Sequence, residues 1–68
     1  MIRDQYKAIL TNGKDYVVSA TKQGGYVELE EKDERFFVIT ERSKNGTMIR
    51  DVRIAKADVE SLSFTPGG

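Results

Sequence analysis

"LTNGKDY" at residues 10–16 and "SKNGTMI" at residues 43–49 place the same Asn-Gly pair twice in a chain of only 68 residues. Asn-Gly accepts positive φ at both central positions of a type I′ turn, whose twist matches that of two antiparallel strands. Each copy is therefore expected at the tip of a hairpin. Two such tips predict an antiparallel β domain.

The second tip sets a register. A two-residue loop at Asn45 and Gly46 pairs Lys44 with Thr47, Glu41 with Arg50, Ile39 with Val52 and Phe37 with Ile54. Two apolar pairs and one opposite-charge pair then share a face, and a slip of one residue would scatter them. Around the first tip, Tyr6, Ala8 and Leu10 alternate with polar neighbours, as do Tyr16, Val18 and Ala20 beyond it. Gly24 and Gly25 mark a bend or turn, after which Val27 and Leu29 resume a period of two. The chain turns again near Lys32 and Asp33. "RFFVIT" at residues 35–40 is the most continuous apolar run and is expected as the most central strand, with Phe36 to Ile39 in the core or at a contact. "AKADVESLSF" at residues 55–64 is too short for a long helix. It reads as one helical turn at Ala57 to Glu60 followed by a closing strand at Leu62 to Phe64. The expected fold is thus a small antiparallel barrel of five or six strands over residues 1–64, with residues 65–68 as a flexible tail.

This architecture, hairpins followed by a single turn and a short closing strand, resembles the SH3-like and Sm-like small barrels. Leu10, Asn12, Gly13 and Tyr16 resemble the first hairpin of the Sm family, and Ile54, Val59 and Leu62 resemble the apolar skeleton of its closing motif. The residues through which that family binds RNA are not matched: no Asp-x-x-x-Asn follows the first hairpin, and Ala55 and Lys56 stand where Arg-Gly would follow Ile54. The resemblance implies a fold and not uridine binding. Without Trp, the chain does not match peptide-binding SH3 domains either.

Composition narrows the chemistry. There is no Cys and no His, so disulfides, thiolate or imidazole metal sites and the commonest general base are all ruled out. Neither a cofactor nor a metal is expected. The densest carboxylate cluster, Glu28, Glu30, Glu31, Asp33 and Glu34, matches no calcium-loop spacing and reads as a solvated strand end and turn. A non-enzymatic protein is expected. No apolar run approaches the ~20 residues of a membrane span, and Arg3, Asp4 and Lys7 interrupt any apolar signal core, which gives a cytoplasmic expectation.

Eleven basic and eleven acidic residues cancel, but they are segregated. Arg42, Lys44, Arg50, Arg53 and Lys56 gather in residues 42–56 against Asp51 alone. Nucleic acid would use this basic hairpin, with Arg42, Lys44, Arg50 and Arg53 on phosphates, although a pI near 6.2 lacks a strong basic excess. The terminal Gly67-Gly68 looks like the end of ubiquitin-like modifiers and sulfur-carrier proteins, which offers a carrier role as another alternative. Against it, two glycines stand where that fold begins a helix. A chain this short has a thin core, and self-association is the natural supplement. Phe36 and Phe37 are neighbours and must point to opposite faces, so one face carrying Phe36, Phe37 or Val38 is expected at a subunit or partner contact. The leading expectation is a small binding or regulatory module that acts through a protein partner or by self-assembly, of a kind that fits a phage or mobile-element accessory protein.

Overall fold

Both Asn-Gly pairs lie at hairpin tips in the computed structural model, which describes residues 3–67. Six strands form: β1 (Gln5–Leu10), β2 (Asp15–Ser19), β3 (Tyr26–Glu31), β4 (Phe36–Arg42), β5 (Met48–Ala55) and β6 (Val59–Thr65). They make two three-stranded antiparallel sheets, ordered β2-β1-β6 and β3-β4-β5. The class is all-β as expected, and the helical turn precedes the last strand, although it is a 3-10 turn at Lys56–Asp58 rather than at 57–60. No strand of one sheet pairs with a strand of the other among the described residues. The closest approaches between the sheets run from β1 and β2 to β3 and β4.

The turn type differs from the expectation. Leu10 N donates to the Lys14 carbonyl at 2.8 Å and Gly13 N to the Leu10 carbonyl at 2.9 Å; Ser43 N donates to the Thr47 carbonyl and Gly46 N to the Ser43 carbonyl, both at 2.9 Å. Each loop therefore holds three residues and ends on a left-handed glycine, Gly13 at φ 85° and Gly46 at φ 90°. No residue other than glycine has positive φ among those described, so neither Asn adopts the type I′ conformation. Their side chains instead brace the loops. Asn12 Oδ1 accepts from Lys14 N at 2.9 Å, and Asn45 Oδ1 accepts from the Thr47 hydroxyl at 3.0 Å.

The longer loop should displace the register by one residue, and near the tip it does: Ser43 bonds to Thr47, Arg42 faces Met48, and Lys44 does not pair with Thr47. A bulge between Glu41 and Arg42 then restores the offset. Beyond it, Glu41 faces Arg50, Ile39 faces Val52 and Phe37 faces Ile54, as the apolar pattern requires.

The core lies between the sheets. Ala8, Val18, Val27, Ile39 and Ile54 are buried there, with Tyr6, Leu10, Leu29, Val52, Val59 and Leu62 packed around them. β4 is central in its sheet and buried on both faces, Ile39 inward and Val38 outward. At the β3–β4 turn, Asp33 Oδ1 accepts from Arg35 N at 2.7 Å and Phe36 N at 3.1 Å. Those backbone bonds, Arg35 first, hold the Asp33 carboxyl below its usual range. β6 runs through Thr65, opposite Gln5, and Gly67 N donates to Asp4 Oδ1. Gly68 lies outside the described residues.

Candidate functional site

Among the described residues, the one buried charged side chain sits where the two sheets meet. Glu41 faces inward on β4 beside Ile39 and is 1% exposed. One carboxylate oxygen accepts from the Thr21 amide at 2.8 Å and the Thr21 hydroxyl at 2.6 Å; the other accepts from Arg50 Nε at 2.9 Å. Burial works to raise this carboxyl, but the two Thr21 bonds and Arg50 outweigh it, so Glu41 stays below the usual glutamate range. Thr21 belongs to the connection between β2 and β3. The carboxylate thus pins the crossover from the first sheet onto the second. All three donors come from the chain itself, so Glu41 acts as an internal clamp between the β2–β3 connection and β5.

The basic residues of 42–56 are largely occupied. Arg42 Nε lies 3.0 Å from Glu28 Oε2 and its Nη1 donates to the Gly46 carbonyl at 2.9 Å, tying the hairpin tip to β3. Arg50 serves Glu41. The Arg53 guanidinium lies over the Phe36 ring, 5.3 Å from its centroid. Lys56 Nζ lies 5.2 Å from the Phe37 centroid and 3.4 Å from Glu31 Oε2. The acidic run of β3 and the basic run of β4 and β5 therefore meet across strands of one sheet. Lys44 is exposed, and its aliphatic stem lies against Gly24, where a Cβ would come within 3.1 to 3.2 Å of it. Among the described residues no group of three or more acidic side chains is placed to hold a metal.

Phe36 and Phe37 point to opposite faces as expected, and both are half-buried. Phe37 shares the inward face with Ile39 and Ile54, whereas Phe36 and Val38 face outward. Val38 is buried between its cross-strand neighbours Glu30 and Arg53. Phe37→Ser should cost on the order of 2 kcal/mol in urea denaturation, and Phe36→Ser clearly less, because Phe37 lies on the inward face, opposite the buried Ile54. Equal losses would contradict this facing.

Apolar surface emerges at the start of β5. Met48 is 55% exposed and Ile49 39%. Ile49 lines a groove of about 600 Å³ between the Lys22–Gly25 turn and the hairpin tip, together with Lys22, Gln23, Ser43, Lys44, Asn45 and Thr47, whereas Met48 is exposed outside that lining. No local sequence pattern marks this juxtaposition, since the two turns are about twenty residues apart. The signal available was the pair "MI" straight after a turn, where the period of two predicts one polar residue.

No family model, curated protein or solved structure matches the chain.

Proposed function

We propose that this chain is a non-enzymatic binding module that acts by occupying the surface of another protein, or of a second copy of itself, through the β5 margin. The observation that carries this reading is the exposure of Ile49 in the groove between the two turns, with Met48 exposed next to it on β5. An apolar side chain, Ile49, in a groove that Lys22 and Lys44 also line suits a protein segment that presents an apolar residue beside acidic ones. The non-enzymatic part is supported by the chemistry of the residues present. The chain has neither His nor Cys, its buried carboxylate is consumed by three internal hydrogen bonds, and Glu28 and Glu31 are engaged by Arg42 and Lys56.

Binding is tested by replacing Met48 and Ile49 together with Ser. Both are exposed, so the unfolding free energy should change little, by about 0.5 kcal/mol or less for each. Capture of protein from the native host, followed by mass spectrometry, should lose the species retained by the wild type. If the same proteins are captured by wild type and variant, the β5 margin is not the binding surface.

A further inference from the structure

The free edge of β5 carries more than exposed side chains. Lys56 N donates to the Arg35 carbonyl at 2.8 Å. In an antiparallel ladder, hydrogen-bonded and non-hydrogen-bonded pairs alternate. With the Phe37–Ile54, Ile39–Val52 and Glu41–Arg50 pairings, this makes Ile54, Val52 and Arg50 turn their backbone groups toward β4. Ala55, Arg53 and Asp51 then turn theirs outward, at an edge that no other strand covers among the described residues. At eight residues β5 is the longest strand, and it holds no proline to blunt its edge.

We infer that this edge pairs with the same edge of a second copy about a twofold axis, joining two sheets into one of six strands. The inference rests on the self-assembly part of the reading above and adds its register. A twofold pairing must set outward-turned residues opposite one another, so the axis passes through a residue rather than between two. Centred on Asp51, it would oppose Asp51 to Asp51; centred on Arg53, it would oppose two guanidinium groups. Centred on Val52, it opposes Asp51 of each copy to Arg53 of the other and places the two Val52 residues side by side. Only this register turns every charged outward pair into an attraction. Asp51 makes no ion pair among the described residues, and the Arg53 guanidinium is held on the same outer face by Phe36. A two-sided edge of this kind is isologous and closes on itself as a dimer.

The register is tested by charge exchange in sedimentation or light scattering. The wild type should dimerise as its concentration rises. Asp51→Arg and Arg53→Asp should each weaken the dimer by at least about tenfold, since each sets like charges opposite one another twice. The double variant, which exchanges the charges, should restore it. The chain has no cysteine, so Val52→Cys gives an independent measurement. The two Val52 residues would form a non-hydrogen-bonded pair with Cα atoms about 4.5 Å apart, within disulfide range, and mild oxidation should yield a covalent dimer.

A wild type that stays monomeric at the highest soluble concentration, or single charge variants that dimerise as well as wild type, would overturn the pairing. So would a double variant that fails to regain the dimer. The broader reading has a separate readout: loss of captured host protein on substituting Met48 and Ile49 would support it even where this dimer fails.

Discussion

Replacing Ile39 with Ala should leave much of the population unfolded under conditions in which the wild type is folded. Ile39 is fully buried at the centre of β4, between Leu29 and Val52, and it belongs to the cluster of Ala8, Val18, Val27 and Ile54 that holds the sheets together. Truncating a buried Ile to Ala costs about 2–5 kcal/mol, the lost transfer energy plus the cavity left behind. A 68-residue chain at roughly 0.05–0.15 kcal/mol per residue has about 3–10 kcal/mol in all. One side chain therefore carries a large share of the stability. Ile39→Val, which removes a single methylene, should cost about 0.5–1.5 kcal/mol. Urea denaturation followed by circular dichroism separates the two variants. An Ile39→Ala protein as stable as Ile39→Val would mean that the core is not where these sheets place it.

The position of Ile39 was legible because a period of two is a strong signal when one face is buried. The Ile39–Val52 and Phe37–Ile54 pairs could be written down from the second Asn-Gly alone. The loop itself could not. Asn-Gly fits both a two-residue turn and the last two positions of a three-residue loop ending on a left-handed glycine, and only the backbone hydrogen bonds distinguish them. The register nonetheless holds, because burial of the apolar face outweighs turn geometry and a bulge absorbs the difference. In the first hairpin no such correction is needed. Its three-residue loop sets Tyr6 opposite Val18 and Ala8 opposite Tyr16 directly, whereas a two-residue loop would have set Tyr6 against Ser19.

Tertiary placement was less legible than pairing. The charges are segregated in sequence, but strand order brings β3 beside β4, so the acidic run meets the basic one within a single sheet. Cross-strand geometry gives Arg42, Arg50 and Lys56 acidic partners within that sheet. The groove beside Ile49 depends on two turns separated in sequence, and no local pattern announces such a meeting.

Glu41 was placed opposite Arg50 from sequence, on the same face as Ile39; its burial follows once that face is known to be the inner one. Glu41→Gln should lower stability at neutral pH by about 1–3 kcal/mol, the cost of leaving a buried donor unsatisfied. The carboxylate accepts from Thr21 and Arg50 with separate oxygens, and a carboxamide presents its NH₂ to one of those donors whichever way it is turned. The pH dependence follows from the direction of the shift. With its folded pKa below the unfolded value of about 4.3, Glu41 binds fewer protons in the folded state than in the unfolded one across that interval. Its contribution is therefore complete above the unfolded pKa and is lost as the pH falls through the folded one. The stability gap between wild type and Glu41→Gln should hold from neutrality to about pH 5 and close on further acidification. Arg50→Ala removes one of the groups that depress the pKa and should move the loss to higher pH. A gap that widened on acidification would mean that Glu41 is buried as the neutral acid, and the clamp across Thr21 and Arg50 would have to be abandoned.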